Sequence, residues 1–287
     1  AGTRPAPGQV VESNTVMAKA MLEVAGARCT RYPFVEDKPE KIRNAIATAC
    51  RDNDIVIVSA GSSAGTKDYT ADVIAGLGTV LVHGIATKPG KPAIIGKVDE
   101  KPVFGLPGYP LSAITVIREL VLPFIRNYGL SVPEPQVVRA VVTSAVPKEI
   151  GSDEFVQCTL GKVGDRWTVS PQSKGAGVQM SAVRANAYVK VPRFSEGFNA
   201  GDMVDARLLV PVQEAEQALL ITGSHDPVLD HLADLLQPQG VSLISTHVGS
   251  MGGIIALKKD ECHAAPMHLL SPDGTYNAAY IRKYLPK

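Results

Sequence analysis

Apolar positions recur at helical spacing along the first fifty residues. Met17, Ala20, Met21 and Val24 fall at i, i+3, i+4 and i+7, which predicts a helix capped by Ser13 and Asn14 and closed by Gly26. Asp37 and Glu40 stand at capping-box spacing with Pro39 in the first turn, and the helix they open gathers Ile42, Ala45, Ile46 and Ala49 on one side. The apolar run 54–58 then reads as a buried parallel strand. A helical stretch opens at Asp68, strands follow near 80–83 and 103–105, and a long helix from Pro110 carries Ala113, Ile117, Leu120, Val121 and Phe124 on one face. Helices alternating with short apolar strands predict an open α/β sheet with crossovers. Ligands of such sheets sit beyond the C-terminal ends of the strands.

The pattern changes at Ser131-Val132-Pro133-Glu134-Pro135, which reads as a linker. Helical periodicity is missing from 136 to 210. Short β-type runs at 137–143, 154–160, 167–169 and 187–191 are punctuated by glycines and predict a small all-β domain, with Trp167 in its core. A second linker spans 211–216. The chain then returns to α/β character: a strand at 219–222, a helix after Asp226, a strand at 241–246 and a helix after Ser250. The expected domains are 1–130, 131–214 and 215–287.

Composition narrows the function. The 287 residues suit two or three domains, and 45% apolar content supplies a core. Lys and Arg total 29 against 28 Asp and Glu, so no charge imbalance draws the molecule to nucleic acid or to a membrane. Any anion is therefore held by local geometry. Cys29, Cys50, Cys158 and Cys262 form no CxxC pair and read as free thiols of a cytoplasmic protein. No apolar run is long enough for a transmembrane helix, and no signal peptide is evident.

Candidate chemistry is concentrated in three segments. Ser59-Ala60-Gly61-Ser62-Ser63-Ala64-Gly65-Thr66-Lys67-Asp68 follows the first strand, where small residues let backbone N–H groups approach an anion. Lys88-Pro89-Gly90-Lys91-Pro92 and Gly105-Leu106-Pro107-Gly108-Tyr109-Pro110-Leu111-Ser112-Ala113 come next. Taken singly, such a loop is most often a tight turn, an aspartate such as Asp68 a helix cap, and Lys88 and Lys91 solvated charges. The ordered set points instead to a phosphorylated ligand.

That set resembles the molybdopterin-binding domain of the molybdopterin molybdotransferases, the MoeA and gephyrin E-domain type, over roughly residues 1–212. The resemblance implies a three-layer α/β domain followed by a β-barrel-like domain. It implies that Gly61, Ser63, Gly65 and Thr66 cradle the terminal phosphate of molybdopterin, helped by Pro89, Gly90, Gly108 and Ser112. Lys88 and Lys91 match the family's basic pair. Asp68 and Asp37 match acidic positions, and Asp68 would act at metal transfer through magnesium. Glu12-Ser13-Asn14 resembles the family triplet that begins the first helix, and Ser181 and Asn186 fall in a matching run of the β domain. The implied reaction moves molybdenum from molybdate to adenylylated molybdopterin with release of AMP, in a cytoplasmic homodimer. Three departures stand out: Ala60 for the first Gly, Tyr109 for an Asn whose amide would hold the turn, and no counterpart of the Thr-Gly-x-Glu segment before Glu12. The last, together with a C-terminal segment that supplies only one lobe's worth of chain, leads to the expectation of a fragment of a longer protein, cut at both ends and inactive by itself.

Residues 218–287 resemble one partial lobe of a periplasmic-binding-protein-like domain, through Gly223-Ser224-His225-Asp226-Pro227, Gly249-Ser250-Met251-Gly252-Gly253 and His268-Leu269-Leu270-Ser271-Pro272-Asp273-Gly274. Ser224 and Ser250 fall at strand-to-helix junctions. They read equally as helix N-caps or as donors to an oxyanion such as molybdate or tungstate. His225, His231, His247, His263 and His268 fit no zinc spacing and read as caps or core residues. The alternative to a transferase is a molybdate- or tungstate-binding or sensing protein with the α/β domain as scaffold.

Overall fold

The computed structural model describes residue 6 and residues 11–59, 69–172 and 179–285. The chain divides into two compact units, Ala1–Glu134 and Pro135–Lys287.

In the first unit, α1 (Asn14–Val24) and α2 (Pro39–Asp52) precede β1 (Val56–Ser59). Then come α3 (Tyr69–Leu77), β2 (Thr79–His83), the two-residue β3 (Thr87–Lys88), β4 (Ile94–Val98), β5 (Lys101–Leu106), α4 (Pro110–Val116) and α5 (Leu122–Arg126). Four strands form a sheet in the order β1-β5-β4-β2. β1 and β5 are parallel, as a crossover demands, but β4 runs antiparallel to both of its neighbours. The sheet is therefore mixed. β4 is missing from the sequence reading because its hairpin turn, Asp99-Glu100, has neither Gly nor Asn. Both residues nevertheless adopt positive φ, 46° and 62°, as tight hairpin turns require.

Alternate residues of the sheet face two helical layers. Ile94, Val98 and Val103 pack with Ile46, Ala49 and Cys50 of α2 and Val73 and Ile74 of α3. On the other side Phe104 and Leu106 meet α1, α4 and α5 through Leu22, Val121 and Ile125, and through Ala18, Ala113, Val116 and Ile117. Each large apolar side chain fully buried here contributes about 1.5–3 kcal/mol. The α1 face differs from the sequence expectation: Asn14, Ala18 and Leu22 are buried, Met17 and Met21 are half-buried, and Ala20 and Val24 are exposed. Residues i, i+4 and i+8 point inward because a polar residue, Asn14, belongs to the buried stripe. The long helix after Pro110 is interrupted by a π turn at Ile117–Val121. Pro123 has no N–H to bond the carbonyl four residues back and crowds it, and the widened turn relieves that conflict.

In the second unit, β6 (Val137–Val142), β7 (Val146–Pro147), β8 (Asp153–Val163), β9 (Arg166–Pro171), α6 (Gln179–Arg184), β10 (Ala187–Val191), β11 (Gly197–Phe198) and β12 (Met203–Leu208) build the β region. The order β10-β12-β6-β9-β8 closes through a β10–β8 pairing into a five-stranded barrel. Its interior holds Ala140, Val142, Val156, Cys158, Leu160, Val169, Val189 and Ala206, with Trp167 half-buried against it. Burial pushes the Cys158 thiol up to about 12, so it is an inert core group. Asn186 bridges the barrel wall, accepting from Leu160 N at 2.7 Å and donating to Leu160 O at 2.8 Å. The stretch expected as a second linker is α7 (Val212–Glu216), whose Ala215 is fully buried in the barrel core.

The C-terminal segment pairs β13 (Leu219–Gly223) in parallel with β14 (Leu243–His247). Ala264 adds a parallel bridge to Ile221. α8 (Pro227–Leu236), α9 (Gly249–Lys258) and α10 (Ala278–Tyr284) complete it. Ala218, Leu220, Ile244, Ala256 and Cys262 form its small core, which Val163 of the barrel joins.

Candidate functional site

The parallel register of β1 and β5 sets Ser59 opposite Leu106. The chain therefore leaves the sheet at two adjacent points, once toward residue 60 and once toward the turn at Pro107. Gly61, Ser63, Gly65, Thr66 and Asp68 lie outside the described residues. The lysine-bearing segment reaches the same place by packing on α4. Gly90 is buried at φ +115°, and a Cβ on it would lie 3.1 Å from Val116 Cγ2, 3.3 Å from Thr87 Oγ1 and 3.6 Å from Ser112 O. Its base is closed by Ile85 N donating to Lys91 O at 2.8 Å and Gly84 N to Ala93 O at 2.8 Å. Lys88 and Lys91 are left exposed, Pro89 and Ser112 half-buried.

The turn after β5 is held from α1. Asn14, 6% exposed, donates from Nδ2 to Gly108 O at 2.8 Å and to Pro107 O at 3.4 Å. Tyr109 itself points outward, half exposed. The turn is thus held by an amide contributed from 94 residues before Gly108 in sequence. The start of α1 is capped by Glu12 rather than Ser13. The Glu12 carboxylate accepts from Thr15 N at 2.7 Å and Thr15 Oγ1 at 2.6 Å, and Arg31 Nε donates to Thr15 Oγ1 at 3.1 Å.

Asp37 stands apart. It is exposed and precedes Lys38, the N-cap of α2, which has no side-chain capping bond. The capping-box expectation at Asp37 fails because the helix starts one residue later. Among the described residues, no hydrogen bond brings Asp37 to Lys88, Lys91 or Ser112. No three His, Cys, Asp or Glu side chains among the described residues are placed to hold a metal ion. No helix among them is long and apolar enough to cross a membrane.

The C-terminal serines meet. Ser224 and Ser250 are both buried, with their hydroxyl oxygens 2.7 Å apart, and Ser250 Oγ also accepts from His268 N at 3.0 Å. Neither is an N-cap: Asp226 caps α8 through Val228 N at 2.9 Å, and Val248 precedes α9. The reading of scattered histidines is corrected as well. His225 Nδ1 and His247 Nε2 lie 3.2 Å apart at the ends of neighbouring parallel strands, with Ser245 Oγ 3.2 Å from the same nitrogen of His247. Burial, then His225 and Arg184, hold His247 below the ordinary imidazole range, against the opposing pull of Asp230. In an imidazole ¹⁵N titration His247 is expected to protonate at lower pH than a free imidazole, and to shift upward in His225→Ala. A midpoint unmoved by that change would leave burial and Arg184 as its causes.

A family model described as "Probable molybdopterin binding domain" matches residues 1–127, and one described as "MoeA C-terminal region (domain IV)" matches 139–209. The crystal structure of a molybdopterin biosynthesis MoeA protein from Pyrococcus horikoshii superimposes with a TM-score of 0.62 at 32% identity, covering 73% of this chain and 51% of that one. The chain is of the MoeA type. A molybdopterin biosynthesis protein of Methanocaldococcus jannaschii is 32% identical over 202 residues, 70% of this chain and 48% of the relative. The molybdopterin molybdenumtransferase of Staphylococcus epidermidis is 28% identical over 220 residues, 75% of this chain and 52% of the relative. This MoeA-type chain therefore spans about half the length of the curated relatives it matches. A third model, "PBP superfamily domain", matches 233–287.

Sequence reasoning took Asn14 as a helix cap and missed its reach to the turn. The available signal was its place in the stripe with Ala18 and Leu22. The imidazole pair had no signal, because parallel strands bring together residues 22 apart with nothing local to mark them.

Proposed function

We propose that this chain serves in molybdenum cofactor biosynthesis, binding adenylylated molybdopterin and assisting transfer of molybdenum from molybdate to it with release of AMP. The observation that supports this reading is the convergence at one sheet end of the departure points after β1 and β5 with the Lys88–Lys91 segment. Phosphate would sit against the backbone and the Ser63 hydroxyl, with Gly61, Gly65, Thr66 and Gly108 giving close approach and Lys88 and Lys91 neutralising charge. Charge-assisted bonds of this kind contribute about 1.5–3 kcal/mol each. On resemblance, Asp68 would hold magnesium, which when bound would screen the phosphate from the incoming oxyanion, and Asp37 matches a second acidic position of the family. In the same reading the enzyme works as a homodimer. The C-terminal segment would receive molybdate or tungstate at Ser224 and Ser250, an anion there replacing the hydroxyl–hydroxyl bond.

The test is molybdopterin binding by calorimetry. Ser63→Leu fills the cradle with a branched side chain and removes its hydroxyl, so affinity should fall by about 30-fold, roughly 2 kcal/mol, with an unchanged circular-dichroism spectrum. Wild-type affinity in that variant would place the phosphate elsewhere.

A further inference from the structure

We propose that Asn14 is a positioning residue for the ligand-binding turn, holding the backbone of 107–109 so that Gly108 and Ser112 face the ligand. This rests on the molybdopterin reading above. Three observations carry it. The side chain is buried at the first residue of α1, where an alanine or a third aliphatic residue would suit the stripe formed by Ala18 and Leu22. Both of its N–H donors are directed at successive carbonyls of one turn, Pro107 and Gly108, so the amide orientation is settled by its partners. Among the described residues, the turn has no side-chain tether of its own: Tyr109 is half exposed and the N-cap position it occupies makes no capping bond.

The mechanical consequence follows from connectivity. Pro107 closes β5, and Tyr109 O accepts from Ala113 N at 2.9 Å to begin α4. A carbonyl fixed at Gly108 therefore fixes the peptide planes on either side of it and the first turn of α4, where Ser112 O lies against Gly90. One amide thus aligns the turn with the lysine-bearing segment. The first turn of α1 is itself capped by the Glu12–Thr15 bonds and tied to Arg31.

The experiment compares Asn14→Ala and Asn14→Asp with Leu22→Ala, a buried truncation on the same helix that removes packing and leaves the tether. Molybdopterin affinity, thermal unfolding and hydrogen exchange of the Gly108, Tyr109 and Ala113 amides are read for each. Both Asn14 variants should bind about 10-fold more weakly and exchange those amides at least 10-fold faster. Asn14→Asp should be the worse, because its carboxylate faces two carbonyl oxygens. Leu22→Ala should lower the melting temperature at least as much yet keep wild-type affinity. If Leu22→Ala loses affinity in parallel, Asn14 acts through stability alone and the proposal falls. It falls also if the Asn14 variants bind normally while Ser63→Leu does not. If neither Ser63→Leu nor the Asn14 variants change affinity, the molybdopterin reading itself is wrong and this inference goes with it.

Discussion

Gly90→Val weakens molybdopterin binding by about 100-fold or more and lowers stability by about 2–4 kcal/mol; this is the expected result, and two separate strains produce it. The φ of +115° is one that a β-branched residue avoids. The new side chain also enters a space already bounded by Val116 Cγ2 and Thr87 Oγ1. The segment can escape both only by lifting off α4. That carries Lys88 and Lys91 away from the turn, and two charge-assisted bonds at about 1.5–3 kcal/mol each exceed the 2.7 kcal/mol that a 100-fold change requires. Denaturant unfolding and calorimetry on the same preparation check it. A variant that is destabilised but binds as the wild type would show that the lysines take no part in holding the ligand.

Gly223→Ala is expected to unfasten the C-terminal segment while leaving the barrel folded. Here the backbone conformation is ordinary and only space forbids a side chain. The added methyl would stand 2.4 Å from Pro266 O and 2.8 Å from Pro266 Cδ. Pro266 O is the acceptor for Ser224 N at 2.9 Å, and two residues on His268 N donates to Ser250 Oγ. Moving the 264–268 segment therefore breaks the bonds that hold Ser224, Ser250 and His268 together. Overpacking of about 1–3 kcal/mol and two hydrogen bonds at about 1 kcal/mol each predict a local loss of about 3–5 kcal/mol. Hydrogen exchange should accelerate across 219–268 and stay slow across 137–208. Native protection at the Ser224 and His268 amides would sink this account.

How much was legible shows best in particular residues. The helical stripe of α2 and the run ending at Ser59 could be read directly, since burial of one face imposes period 3.6 and burial of both faces imposes a continuous apolar run. The three anion-suited segments were legible as a set because glycine, proline and lysine each leave a local mark. β4 was hidden behind a hairpin turn of Asp and Glu, whose positive φ is enforced by the pairing of its strands rather than preferred by the residues. The π turn was hidden for a related reason: Pro123 signals a break, and only packing of Val121 and Ile125 into the core decides that the helix continues past it.

The sequence by itself determined that this chain has an α/β part, a β part and a second α/β part, and which residue types are available to an anion. Those follow from local periodicity and from side-chain chemistry. Only the tertiary structure decided that the amide holding the Gly108 turn comes from Asn14, that Gly90 seats the lysine segment on α4, and that Ser224 meets Ser250 beside paired imidazoles. Each of these depends on strand order and register, which are fixed by the joint burial of distant segments and leave no trace in the residues on either side.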